Sequence, residues 1–249
     1  MLDAPEQLSA SIQQNLERVR GRIAAAAAAS SREPDSIRVV VVTKTQPVVV
    51  VEAAIAAGAR CLGENYPEEA VEKIAAVKDS PPVEWHMIGH LQSRKVKLVV
   101  DHFHMMHSLD SLRIAERLER VLAASERKLT VLLEFNVGGE YTKFGWVAED
   151  EAQWERLLPE IEQVARLPHL VICGLMTMPP LRVNPEDNRM CFARLRRLRD
   201  FLSTHFPHHN WRELSMGTSS DYEVAVTEGA TLVRIGQAIL GPRDSSVEK

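Results

Sequence analysis

The feature that most limits how this chain can fold is a rhythm. A short β-branched or apolar run is followed by a helical pattern, eight times over, with no break in composition. The runs are IRVVVVT (37–43), RCLGEN (60–65), VEWHMIG (83–89), HFHMMHS (102–108), LTVLLEFNV (129–137), LVICGLMTM (170–178), WRELSMG (211–217) and TLVRIGQAIL (231–240). Between them lie patterns such as PVVVVEAAIAAG, PEEAVEKIAAVK, LDSLRIAERLERVLAA and NRMCFARLRRLRDFL. Strands that each need a helical crossover before the next belong to a parallel sheet, and eight such units predict closure into a (β/α)8 TIM barrel. The alternative is an open doubly wound sheet, but the first strand–helix turn carries no G-x-G-x-x-G.

An extra helix is predicted ahead of the barrel, from Leu8 to Ser30, because the alanine run Ala24–Ala29 favours helix and SSREPDS then stops it. The expected organisation is one domain over 1–249, with an N-terminal helix and lead-in at 1–36 and a flexible tail at 242–249. A single barrel commonly has this length. A net charge of -4 excludes general attraction to nucleic acid or to an anionic membrane. No apolar run reaches membrane-spanning length, and the start, MLDAPEQLSASIQQ, has no basic segment leading into an apolar one. Cys61, Cys173 and Cys191 form no C-x-x-C and read as reduced thiols. Together these features predict a cytoplasmic chain.

In a barrel, chemistry gathers at the C-terminal ends of the strands. The polar residues at those ends are Lys44, Glu64 with Asn65, His90, His107 with Ser108, Asn136, Thr177, Ser215 through Ser219, and Arg234 with Gln237. Lys44 follows a four-valine run, and a buried ammonium is costly unless it is paired or loses its proton. It is therefore either a rim residue reaching water or a reactive amine.

Two further segments bear on that choice. In ELSMGTSSDYEVAV, Ser220 and Glu223 fit a capping box, which predicts a helix start directly after the seventh strand. Gly217, Thr218 and Ser219 would then offer amides and hydroxyls to an anion. On the eighth strand, VRIGQ places Gly236 where a backbone can approach closely. Arg234, two residues earlier, can pair with a structural carboxylate or donate to a ring nitrogen. A reactive amine, a phosphate cradle and a ring-nitrogen partner describe a pyridoxal phosphate site.

The motifs VVTKTQP, LGENYPEE, EWHMIGHLQSRKVK, HSLDSL, NVGGEYTKFG, GLMTMPP, ELSMGTSSDYEVAV and EGATLVRIGQAILGPR run from Val41 to Arg243. With them the chain closely resembles the pyridoxal phosphate homeostasis protein family, whose barrel is similar to the N-terminal domain of alanine racemase. The resemblance implies pyridoxal 5'-phosphate as cofactor, bound as an aldimine to Lys44, with Ser219 and the Gly236–Gln237 backbone on the phosphate and Arg234 facing the pyridine nitrogen. It also implies that Asn65, His90, Met176 and Ser215 line the cofactor. The sequence departs from the family at Thr218, where methionine is frequent, and at Gln237, where threonine is frequent, so backbone contacts to the phosphate are the ones retained.

An arginine at the ring nitrogen keeps its proton, which leaves the ring a weak electron sink. A two-base racemase also needs a tyrosine from a following domain. Only Gly241–Lys249 follow the eighth strand, and Tyr66, Tyr141 and Tyr222 do not match that role. The expectation is a monomeric carrier or regulator of the cofactor that delivers it to apoenzymes, with no catalytic residue and no metal. The rivals are a weak racemase or lyase that uses the cofactor, and a cofactor-free barrel resembling a class I aldolase. Lys143 lies on a loop near the barrel mouth, where it could receive cofactor in transit. His102, His104 and His107 cannot all face one ion from a straight strand. The arginines of NRMCFARLRRLRDFL read as a solvated helix face.

Overall fold

The computed structural model describes residues 5–140 and 142–242. Eight parallel strands make the wall: β1 (Arg38–Val42), β2 (Cys61–Glu64), β3 (Glu84–Met87), β4 (Met105–Leu109), β5 (Leu129–Asn136), β6 (Leu170–Met176), β7 (Glu213–Ser215) and β8 (Leu232–Ile235). They pair in chain order, and the pairing of β1 with β8 closes the ring, Val40 standing opposite Arg234. This is the (β/α)8 barrel that the rhythm predicts. The helices are α1 (Pro5–Ala29), α2 (Val48–Ala56), α3 (Pro67–Ala76), α4 (Val96–His102), α5 (Leu112–Ala124), α6 (Leu158–Ala165), α7 (Arg189–His205), α8 (Tyr222–Thr227) and α9 (Gln237–Leu240). Among the described residues no helix is long and apolar enough to cross a membrane.

Two local readings differ from the sequence. The fourth run starts later than expected, at Met105, because VKLVVDH continues as α4 and ends on His102. A two-residue strand, Trp146–Val147, pairs in parallel with the C-terminal end of β5 and is too short to leave a periodic signal. The tail expected over 242–249 lies, after Pro242, outside the described residues, as does Tyr141.

α1 buries Ile12, Leu16, Val19, Ile23 and Ala27, one stripe at helical spacing, against α2, α8 and α9. Asn15 donates to the Ile239 carbonyl at 2.9 Å, and Arg32 to the Val226 carbonyl at 2.7 Å. The arginines of α7 are paired rather than left as an open basic face. Arg189 meets Glu186 and Glu228, Arg196 meets Glu228, and Arg197 meets Glu151.

Strand alternation separates the wall's two faces. Outward residues such as Val131, Leu133 and Phe135 pack on the helices, while Val40, Met105, Leu132, Cys173, Met176 and Leu232 fill the interior. Toward the C-terminal end the interior turns polar. Glu134 shares the inner side of β5 with Leu132 and is buried. Burial, with Asp110 adding repulsion, raises its carboxyl to about 7, although Arg234 and Lys143 pull the other way.

A folded value above the unfolded one of about 4.3 means that the native chain holds an extra proton between roughly pH 4.3 and 7. Stability falls as pH rises through that window and stays lower above it. Glu134→Gln removes the titration, so its stability relative to the parent should climb from about pH 5 to about pH 8, by roughly 2–4 kcal/mol. Paired denaturant unfolding curves test this, and a pH-independent difference would refute it.

Candidate functional site

The turn after β1 is gripped on both sides of Lys44. Lys73, buried on α3, donates to the Thr43 carbonyl at 2.6 Å, to Glu64 Oε1 at 2.8 Å and to Glu69 Oε1 at 2.5 Å. An ammonium has three donors, and here each has an acceptor. Thr43 Oγ1 donates to the same Glu64 oxygen at 2.7 Å, and the Thr45 amide donates to Glu69 Oε1 at 2.7 Å. Thr45 takes φ 61°, the left-handed region that a β-branched residue disfavours, and the Glu69 bond helps to hold it there. Glu64 thus faces α3 and not the ligand side on which strand-end reasoning put it. Burial pushes its carboxyl up against the pull of Lys73.

At the C-terminal mouth lies a cavity of about 320 Å³. Lys44, Asn65, Thr218, Ser219, Arg234, Gly236 and Gln237 line it, with Val42, Ile88, Met178 and Leu181 as its apolar parts. The other expected residues stand outside that lining. Met176 belongs to the apolar interior layer, and Ser215 sits buried under Arg234. His90 is at the rim, 2.7 Å from Asp110 and stacked on Phe144 with ring centres 3.8 Å apart. Gly217 lies behind the loop at φ 92°, where a Cβ would come 2.6 Å from the Ala225 Cβ. At Gly236 the nearest obstacle to a Cβ is the Val42 carbonyl, at 3.3 Å.

Arg234 is buried and, among the described residues, bonds no carboxylate. Its Nη1 donates to Ser215 Oγ, and its Nη2 to the Thr177 carbonyl at 2.8 Å, with Met178 Sδ alongside at 2.9 Å. Burial lowers it to about 10, partly offset by Glu134 and Asp221, so it remains cationic at neutral pH. It can therefore donate to an acceptor in the cavity but cannot supply a base.

The capping box does not form. α8 starts at Tyr222, and Glu223 turns to Arg22 at 3.3 Å. Asp221 governs the loop: its Oδ1 accepts from both the Thr218 amide (2.7 Å) and Thr218 Oγ1 (3.0 Å), and its Oδ2 accepts from Asn188 at 2.8 Å. Sequence spacing favoured Ser220 because it could not reveal Asn188, a buried partner 33 residues away that fixes Asp221. Ser219 Oγ accepts from the Ala238 amide at 3.3 Å, which joins the two loops. α9 opens at Gln237, and the Gly236 carbonyl ahead of it accepts from the Ile239 and Leu240 amides, each at 2.9 Å, which leaves the Gln237 and Ala238 amides without an acceptor inside the helix.

The remaining polar groups hold loops or lie deeper. Ser108 donates to the Gly89 carbonyl, Thr177 to the Phe135 carbonyl, and Asn136 to the Glu140 carbonyl. Lys143 is 3.7 Å from Glu140. His102 ends α4, His104 accepts from the Trp85 amide, and His107 is inside the barrel, so the three do not form one cluster. At the barrel floor Cys61, Glu84 and His86 bring one ligand-type atom each within 4.8 Å of one another. Cys61 and His86 both approach Glu84 Oε2, which the Arg38 guanidinium also reaches at 3.5 Å, so a cation already answers that carboxylate.

Sequence reasoning missed Lys73 and Glu69. Their signal was present in PEEAVEK, a Glu four residues before a Lys on one helix face. Nothing in the sequence marked Lys73 as buried.

The alanine racemase N-terminal domain model matches residues 10–244. The chain is 42% identical over 234 residues to the pyridoxal phosphate homeostasis protein of Pseudomonas aeruginosa, covering 94% of this chain and 96% of that one. It is 39% identical over 241 residues to the protein of the same name in Escherichia coli, covering 94% and 98%. Among solved structures, PipY of Synechococcus elongatus with PLP bound superposes with TM-score 0.79 at 34% identity, over 92% of this chain and 100% of that chain. Alanine racemase from Corynebacterium glutamicum gives TM-score 0.67 at 18% identity over 96% of this chain, which spans 63% of the racemase, and so shares the fold. The chain therefore belongs to the pyridoxal phosphate homeostasis protein family, built on the alanine racemase N-terminal barrel.

Proposed function

We propose that this chain binds pyridoxal 5'-phosphate in the mouth cavity as an aldimine of Lys44 and acts as a carrier or regulator of the cofactor, without strong catalysis of its own. The observation that carries the reading is the convergence of Lys44, Arg234 and the two loops after β7 and β8 on one cavity. The PLP-bound structure of PipY and the names of the relatives support it. In this reading Arg234 donates to the pyridine nitrogen. The phosphate rests on Ser219 and on the backbone of Gly236 and Gln237, since Asp221 occupies the Thr218 amide and hydroxyl hydrogens. Asn65 shares the lining, while His90, Met176, Ser215 and Gly217 support it from behind or from the rim. Because Arg234 keeps its proton, the bound ring draws electrons weakly, which suits storage and transfer to apoenzymes better than chemistry on amino acids.

The purified protein, loaded with pyridoxal phosphate, should absorb visible light. Borohydride should fix the cofactor on the peptide carrying Lys44, and Lys44→Ala should abolish both. A colourless protein, or label on another lysine, counts against the site. The rival is a weak racemase or lyase on the same fold. Incubation with amino acids in deuterium oxide decides between them, since sustained α-proton exchange at enzymatic rates would end the carrier reading.

The grip on the Lys44 turn yields a further expectation. Lys73→Met strands Glu64 in a buried site and should cost about 3–5 kcal/mol of stability in denaturant unfolding. In the fraction that stays folded, cofactor affinity should fall about tenfold as the turn loosens. Adding Glu64→Gln should recover part of the stability, and no recovery would mean that the ion pair is not the cause.

A further inference from the structure

Four hydrogen bonds run end to end through the barrel interior. Arg234 Nη1 donates to Ser215 Oγ, Ser215 Oγ is 2.8 Å from His107 Nδ1, His107 Nε2 is 2.9 Å from His86 Nδ1, and His86 Nε2 is 3.2 Å from Glu84 Oε2. Arg234, Ser215, His107 and His86 are buried. The row begins at the cavity and ends at the barrel floor, where Glu84 opens β3 and is exposed to solvent.

The chemistry of the two ends determines every hydrogen between them. A guanidinium only donates, so Ser215 Oγ accepts from Arg234 and must direct its own hydrogen elsewhere. The acceptor within reach is His107 Nδ1, which places the His107 hydrogen on Nε2. That hydrogen points to His86 Nδ1, which places the His86 hydrogen on Nε2, facing Glu84. A carboxylate only accepts, so the floor demands the same direction as the cavity end. No pair in the row is mismatched. Burial keeps both imidazoles neutral, as the assignment requires. The hydrogen bond from His86 and the Arg38 guanidinium lower the Glu84 carboxyl, so it is ionised at neutral pH.

We propose that Glu84, His86 and His107 are positioning residues for the cofactor site, forming a proton-ordered row that holds the Ser215 hydroxyl as an acceptor for Arg234. The inference rests on the reading of Arg234 as the partner of the pyridine nitrogen. With Nη1 tied to Ser215 and Nη2 to the Thr177 carbonyl, the guanidinium is held in place at the cavity wall. Were the row to run the other way, the Ser215 hydrogen would face a guanidinium hydrogen and Arg234 would lose a partner. Because arginine keeps its protons, the row transmits orientation and not a proton. An exposed carboxylate at one end of the barrel thereby steadies a buried cation at the other.

Nitrogen-15 imidazole spectra of the cofactor-free protein test the row directly. His86 and His107 should both appear as neutral Nε2–H tautomers, and an Nδ1–H or cationic form of either would overturn the proposal. Glu84→Gln, which keeps an acceptor oxygen, should leave both tautomers in place. Glu84→Lys, which sets a donor against His86 Nε2, should populate the Nδ1–H form, and an unchanged spectrum would overturn the role of Glu84. At the cavity end, His107→Asn retains an acceptor for Ser215 and should bind pyridoxal phosphate within a few-fold of the parent, whereas His107→Phe should bind about tenfold more weakly. Equal losses in the two variants would mean that His107 only fills space. If the parent binds no cofactor while the tautomers are as assigned, the reading of the site has failed and the row has not.

Discussion

The ammonium of Lys73 is the interaction on which the site depends. It lies where β1, β2 and α3 meet, and its three bonds fasten the residue before Lys44 directly and the residue after it through Glu69. A buried ion pair is weak evidence for stability, because desolvation offsets much of the attraction. Here its value is geometric. A long flexible side chain such as Lys44 can be aimed only if its backbone does not move, and the backbone of this turn includes a left-handed threonine that would relax without its partners.

A second constraint is the polarity of the barrel interior. An apolar layer from Val40, Met105, Leu132 and Leu232 fills the middle, yet a column of polar side chains passes through from Glu84 to Arg234. Buried polar groups are tolerable only when all are satisfied. This column satisfies its members in one arrangement, with a donor-only residue at one end and an acceptor-only residue at the other. Arg234 consequently needs no carboxylate partner, which keeps its charge available to the cavity.

Much of the architecture was legible because it is periodic. Eight alternations of strand and helix, the helix of α1 and the placement of Lys44, Asn65, Ser219, Arg234 and Gly236 at strand ends all follow from local pattern, and all reappear at their expected positions in the fold. What escaped was set by contacts distant in sequence. The Asp221 cap depends on Asn188, and the role of Glu64 depends on a helix that covers it. His107 looked like one of three scattered histidines until the fold placed His86 and Ser215 on either side of its ring. A run such as HFHMMHS, with apolar and imidazole groups interleaved, could not show where α4 ends and β4 begins.

α1 spans the seam of the barrel, joined through Asn15 to α9 and, through Arg32 just past its end, to α8, more than 190 residues further along the chain. During synthesis this order matters. The apolar stripe of α1 from Ile12 to Ala27 meets α2 early in the chain, but the rest of its covering, α8 and α9, arrives only with residues 222–240. Ring closure between β1 and β8 and completion of that burial thus both wait for the end of the chain, with a long loop-closure entropy set against them. Half of the lining of the mouth cavity comes from residues 218–237, so the cavity is complete only once the ring has closed.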